Sequence, residues 1–217
     1  MTLIILVRHG QTEWNRDERF RGHTDIELNE TGLAQARALA ARISAQWHPV
    51  AVYVGPLTRT RQTGDAIAHS VQLAAQVEDG LIDVDCGGWQ GLTPAEVQQR
   101  WPAEYQTYLH SPEGFTFPGG DSLEAARMRG MECLQKLIAP YPDQTLVLVS
   151  HNALNRLLLL TILGLGTQSY WSIRQDLCAL NAFEAGGGHF SLITLNETGH
   201  LLSVSSNQDE TGGSKTE

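Results

Sequence analysis

Five consecutive apolar residues, Leu3-Ile4-Ile5-Leu6-Val7, run directly into Arg8-His9-Gly10. An apolar run without polar alternation reads as a strand buried on both faces. Such a strand needs cover above and below, which points to a sheet clad by helices on each side. The run stops on a cation, an imidazole and a residue free of a side chain. The strand would hold His9 rigidly, Gly10 would let backbone or ligand come close, and Arg8 would supply charge for an anion. That is a suitable place for a nucleophile, provided the rest of the chain supplies partners.

The remainder of the chain continues the pattern. Leu33, Ala36, Leu39, Ala40 and Ile43 recur at helical spacing after the turn-like Asn29-Glu30-Thr31-Gly32. A second strand is expected over residues 50–54, then a helix to about Val71 and a short strand near Gln76 and Val77. Asp121 with Glu124 resembles a capping pair opening a long helix to Ile138. Residues 145–149 form another apolar strand, followed by a helix over 154–163. Two further strands over 179–184 and 190–195 are joined by Gly186-Gly187-Gly188. This alternation predicts a three-layer α/β/α fold with a largely parallel central sheet. Residues 1–204 are expected to form a single domain. Within it, residues 92–120, rich in aromatics and prolines, form a partly helical excursion that reads as a lid or cap. The polar residues 205–217 read as a disordered tail.

Composition narrows the function. With 217 residues and a net charge of −9, the chain is a poor match for nucleic acid or an anionic membrane. The cysteines, 86, 133 and 178, are odd in number and lack C-x-x-C spacing, so neither a disulfide framework nor a zinc site is expected. No other metal or cofactor is indicated. The apolar start is too short for a signal peptide and the run 157–165 too short to span a bilayer, so a cytoplasmic location is expected. Thirteen of the 15 basic residues are arginines, and six of them (Arg8, Arg16, Arg19, Arg21, Arg59, Arg61) lie in two short early segments. Arginine's planar fork suits bidentate binding of phosphate or carboxylate.

In parallel sheets, sites gather at the carboxyl ends of strands. One end carries Arg8-His9-Gly10. A second leads through Gly55 and Pro56 to Arg59 in a first helical turn, and a third ends at Ser150-His151-Asn152. If these strands are neighbours, Arg8, His9, Arg59 and His151 converge on one pocket.

At this point the chain resembles the histidine phosphatase superfamily, in its phosphoglycerate mutase-like branch. The opening signature runs from Leu6 through Arg8-His9-Gly10-Gln11-Thr12-Glu13-Trp14-Asn15, then Arg19, Gly22, Asp25, Leu28, Gly32 and Gln35-Ala36. Pro56-Leu57-x-Arg59-x-x-Gln62-Thr63, Gly87-x-Trp89-Gln90-Gly91, Pro118-Gly119-Gly120-x-Ser122-Leu123 and Ser150-His151 follow in order, covering the chain to about residue 195. The resemblance implies a metal-independent phosphomonoesterase that forms a phosphohistidine on His9. Arg8, Arg59 and a protonated His151 would hold the phosphoryl oxygens, and Asn15 would touch them too. Where relatives usually carry a glutamate as proton donor, this chain has Asp83, with Asp85 as the alternative. Arg21 stands where many relatives have glutamine. Arg21, Gly22, His23 and Asn152 are the expected substrate contacts.

A small phosphorylated metabolite is therefore the expected partner, and a homodimer is compatible with the sequence. The alternative activity is that of a cofactor-dependent phosphoglycerate mutase, although Trp89-Gln90-Gly91 and the short segment after it resemble the phosphatases. A third reading is a catalytically impaired relative that binds phosphorylated ligands. Phosphoserine, phosphoglycolate, a sugar phosphate, α-ribazole phosphate and phosphoglycerates are all compatible with the sequence.

Overall fold

A computed structural model describes residues 1–202 and 204. The expected disordered tail, 205–217, lies outside the described residues. Four strands run parallel: β1 (Thr2–Arg8), β2 (Ala51–Val54), β3 (Ala75–Val77) and β4 (Thr145–Ser150). β5 (Leu180–Gly186) joins β1 antiparallel, and β6 (His189–Glu197) continues from it as the edge strand. The order across the sheet is β3-β2-β4-β1-β5-β6. The helices are α1 (Glu13–Arg16), α2 (Glu30–Gln46), α3 (Thr58–Ser70), α4 (Pro94–Arg100), α5 (Pro102–His110), α6 (Leu123–Ile138) and α7 (Asn152–Ile162).

The apolar run works as its pattern requires. Ile4 and Leu6, with Leu146 and Leu148 of β4, point into a core shared with α6 and α7. Ile5 and Val7, with Val147 and Val149, point to the opposite face, against Leu39, Ala40 and Ile43 of α2 and Ile67 and Ala68 of α3. Each fully buried Ile, Leu or Val of this kind contributes about 1.5–3 kcal/mol. Both faces of β1 and β4 are therefore held, and their carboxyl ends are positioned by the sheet rather than by loops.

Register then aligns the functional ends. Arg8 pairs with Ser150, so His9 and His151 leave the sheet side by side. Val54 pairs with Val149, which brings the β2 end and α3 to the other side of His151. The β4 strand lies between β2 and β1, so the three ends expected to be neighbours are neighbours.

Two local expectations are corrected. The long helix α6 is capped by Ser122, whose hydroxyl accepts from the Ala125 amide at 3.0 Å, and not by Asp121 with Glu124. Asp121 instead accepts from the Asp85 amide and from Arg129, because an Asp one residue ahead of the cap is better used tying two loops together. The segment Asn29–Gly32 is also not a separate turn: Asn29 is the cap of α2, accepting from the Gly32 amide at 2.9 Å. Residues 92–120 carry α4, α5 and a short 3₁₀ turn. They pack their aromatics around the fully buried Trp89, whose ring meets Phe115 at 5.2 Å, Phe117 at 5.1 Å and Tyr108 at 5.5 Å.

Gly10 and Gly32 set how closely α2 approaches the end of β1. A Cβ on Gly10 would lie 2.6 Å from the Gly32 carbonyl oxygen, and one on Gly32 would collide with the Gln11 backbone. These neighbours are main chain and cannot swing aside. Alanine is favoured over glycine inside a helix by about 1 kcal/mol, while overpacking typically costs about 1–3 kcal/mol. Because the obstructing atoms are main chain, the upper end of that cost applies, and Gly32→Ala is expected to destabilise the protein by about 2 kcal/mol net, read as a lowered urea midpoint at unchanged slope. An unchanged or raised midpoint would show that the two segments are not in backbone contact.

Candidate active site

His9 is the first residue beyond β1 and is 1% exposed. Its amide donates to the Ser150 carbonyl at 3.0 Å, locking it to the end of β4. Its Nδ1 lies 2.7 Å from the Gly10 carbonyl, which can only accept, so Nδ1 carries the proton and Nε2 keeps its lone pair. Burial, and then the charges of Arg59 and Arg8, push its pKa well below the usual imidazole value. His9 is thus a neutral, oriented base with one free nitrogen.

His151 stands beside it, with ring centroids 5.3 Å apart at an interplanar angle of 64°. Arg59 reaches in from the first turn of α3 and its Nε donates to His151 Nδ1 at 3.2 Å. Since Nδ1 accepts, the ring proton sits on Nε2, which is buried and has no hydrogen-bond partner among the described residues. Burial and Arg59 push the His151 pKa well down as well. The expected protonated His151 is therefore corrected. With no anion in the site, burial beside Arg59 favours the neutral ring, which donates through Nε2–H.

The guanidinium of Arg59 is fully buried and also donates to the carbonyls of Gly22 and Thr24, both at 2.8 Å. Gly22 can offer its carbonyl because it adopts a positive φ of +50°, and a Cβ there would press on Gln90 and Cys86. Arg8 donates to the Gln175 carbonyl at 2.6 Å while its Nε is buried without a partner among the described residues. Arg21 is anchored to the Arg19 carbonyl at 2.9 Å, and its Nε is unpartnered too. Burial lowers the pKa of all three arginines, and Arg21 and Arg156 add repulsion at Arg8. A guanidinium does not lose its proton in a protein. The lowering instead registers the cost of holding these cations away from water, a penalty an anion would relieve.

One carboxyl faces them. Asp83, 7% exposed, has Oδ2 at 3.6 Å from Arg59 and 3.8 Å from His151 Nδ1, and its Oδ1 accepts from the Val84 amide at 3.0 Å. Burial raises its pKa above the ordinary aspartate value, outweighing the attraction of Arg59 and Arg21. Asp85 is differently placed. Its Oδ1 accepts from the Gly87 amide at 2.9 Å, and its main chain bonds to Asp121, so it braces the loop rather than facing His9.

Above these groups opens a cavity of about 320 Å³, lined by Arg8, Asn15, Arg21, Gly22, Asp83 and Asn152 among others. His9, Arg59 and His151 do not themselves line this cavity: Arg59 bonds to its lining residue Gly22, Arg59 and His151 both approach Asp83, and His9 follows the lining Arg8 and packs against His151. Asn15 has its Oδ1 engaged by the Thr12 amide and hydroxyl, which leaves its amide nitrogen for a ligand. The expected contact His23 does not line this cavity: its Nε2 lies 2.9 Å from the Asp83 carbonyl and its amide donates to Gln90. It supports the Asp83 segment from behind. Tyr105 and Tyr108 line the cavity from within the aromatic-rich segment 92–120, and Arg156, Tyr170 and Trp171 line it without having been singled out in the sequence. Only Arg156 left a signal: it follows Asn152 by four residues on α7, hence on the same helical face.

Known proteins resemble this chain along most of its length. The family model of the histidine phosphatase superfamily (branch 1) matches residues 4–198. Phosphoserine phosphatase 1 of Hydrogenobacter thermophilus is 32% identical over 201 residues, covering 93% of this chain and 95% of that protein. A metal-independent phosphoserine phosphatase of Arabidopsis thaliana is 33% identical, covering 94% and 85% respectively. The crystal structure of a phosphoserine phosphatase from Entamoeba histolytica, in complex with 3-phosphoglyceric acid, superimposes with a TM-score of 0.84 at 30% identity, covering 93% of this chain and all of that one. The chain belongs to branch 1 of the histidine phosphatase superfamily and is a phosphatase.

Proposed function

We propose that this protein hydrolyses a small phosphorylated metabolite through a phosphohistidine on His9, without a metal ion. The observation that carries this reading is the set of buried donors with no partner, Arg8 Nε, Arg21 Nε and His151 Nε2, gathered around a histidine whose Nδ1 is already committed. Buried polar groups are normally satisfied. A cluster of orphaned donors with three guanidiniums facing one carboxyl calls for an anion bearing several acceptor oxygens, and a phosphoryl group is such an anion.

In this reading, His9 Nε2 attacks phosphorus as the ester P–O bond breaks. Arg8, Arg59, the His151 Nε2–H and the Asn15 amide hold the three equatorial oxygens, where charge accumulates. Asp83 gives its proton to the departing alkoxide. The substrate's own negative charge supports this role, since a phosphate beside Asp83 raises its pKa further. Asp83 then takes a proton from water, which attacks phosphorus and breaks the P–N bond, returning His9 to its starting state. Residues 92–120 act as the cap over the reacting groups, on a single domain spanning 1–204. Phosphoserine is the substrate to test first, because several relatives bear that activity in their names.

Asp83→Asn is expected to lower kcat on phosphoserine by about 10²–10⁴-fold. On p-nitrophenyl phosphate, whose leaving group needs no proton, the same variant should release a burst of about one equivalent of nitrophenol per site and then turn over slowly. Loss of both phases equally would remove Asp83 as the acid. His9→Ala should abolish acid-labile labelling of the protein, and EDTA should leave activity unchanged; activity in His9→Ala, or its loss in EDTA, would overturn the mechanism.

Neutral buried histidines also predict a pH effect on stability. Unfolded, each takes up a proton near its ordinary pKa of about 6.5. Folded, His9 and His151 do so only at much lower pH. Below about pH 6.5 the unfolded state therefore binds more protons, and stability falls as pH falls. Each histidine accounts for up to about 1.4 kcal/mol per pH unit. Urea unfolding from pH 6.5 to 5 should thus show a shallower loss for His151→Asn than for the parent. Equal slopes would mean His151 is already charged in the fold.

A further inference from the structure

Besides Arg8 and Arg21, another cation lines the same cavity from a different element, the helix α7. Arg156 lies on α7 four residues after Asn152, so both lie along one face of the helix and both line the cavity. Its guanidinium carbon sits 5.3 Å from the Tyr170 ring centre and 5.0 Å from that of Trp171. Those rings are themselves fixed: Tyr170 is 2% exposed, and the Trp171 indole donates to the Tyr108 carbonyl at 2.9 Å. Stacking on the faces of the guanidinium holds its plane and leaves its N–H edge for hydrogen bonding. Arg156 Nε is nevertheless buried without a partner, and no carboxylate forms an ion pair with Arg156 among the described residues. It also repels Arg8 across the cavity. A pre-aimed, unpaired fork near a second cation is a built site for a planar anion.

Resting on the phosphohydrolase reading above, we infer that Arg156 binds a carboxylate of the substrate, so that the enzyme selects phosphorylated hydroxy or amino acids over phosphate esters lacking an acid group. Arg156 follows the α7 cap His151 by five positions, a rise of about 7.5 Å along the axis. A three-carbon acid with its phosphate at one end and its carboxylate at the other can bridge that span, with the phosphoryl group at His9 and the acid group on Arg156. Arg156 is then a specificity residue that never touches phosphorus.

The discriminating pair is phosphoserine and phosphoethanolamine, which share the ester and the ammonium and differ by the carboxylate. A charge-assisted bidentate contact predicts that Arg156→Ala lowers the ratio of kcat/KM for phosphoserine to that for phosphoethanolamine by about tenfold to a hundredfold. Most of the fall should appear in the KM for phosphoserine, since the contact is the same in ground and transition states. Arg156→Lys should recover part of the ratio, keeping the charge but losing the fork. A ratio unchanged in Arg156→Ala, including one in which both substrates suffer equally, overturns the assignment. Calorimetric binding of the two ligands to His9→Ala, with and without Arg156→Ala, reads the same preference without turnover. If neither ester is hydrolysed and no phosphohistidine forms, the hydrolase reading falls, while this binding ratio still decides the carboxylate site.

Discussion

The parallel pairing of β1 with β4 is the constraint on which the remainder of the site depends. Arg8 opposite Ser150 puts His9 and His151 on adjacent strand ends, and the His9 amide bonds across to the Ser150 carbonyl. Neither strand end could hold its histidine alone, because a residue one step past a strand is free to rotate unless something fixes it. Here apolar packing on both faces fixes the strands, the sheet fixes their register, and Gly10 against Gly32 fixes how the chain leaves. The chemistry inherits the precision of the core.

On that scaffold the site holds charges that would separate if they could. Arg8, Arg21 and Arg59 are held by backbone carbonyls of Gln175, Arg19, Gly22 and Thr24, with one partly paired carboxyl among them. Carbonyl dipoles hold guanidiniums in place without neutralising them. The excess positive charge therefore remains for a ligand, and it keeps the neighbouring histidines neutral. The same burial that suppresses charge on His9 favours the protonated form of Asp83, so base and acid acquire opposite tendencies from one environment.

Residues 92–120 and 167–172 complete the cavity through aromatic packing. Tyr108 touches Trp89, Phe115, Phe117 and Trp171, which joins residues 92–120, the core and the loop after α7 into one aromatic cluster. Trp171 in turn stacks on Arg156. The packing of residues 92–120 and the orientation of a cavity-lining cation are thus parts of the same structure, and neither is visible from local spacing.

Sequence periodicity was enough for the layered fold, because a run such as Leu3 to Val7 admits only a strand covered on both sides. It was also enough to nominate Arg8, His9, Arg59 and His151, since strand tips in such a sheet are few and these side chains are chemically distinctive. The protonation of His151 was not legible, because it depends on where the Arg59 Nε–H points. Asp83 was named ahead of Asp85 by resemblance alone, but which of these two carboxyls in one irregular loop is buried beside Arg59 is decided only by packing. His23 belongs with them: its place behind Asp83 follows from a contact sixty residues along the chain. What the chain determined by itself was periodic and local, governed by hydrophobic pattern and residue chemistry. What only the tertiary structure decided was directional, because hydrogen bonds and buried charges depend on which groups meet across the fold.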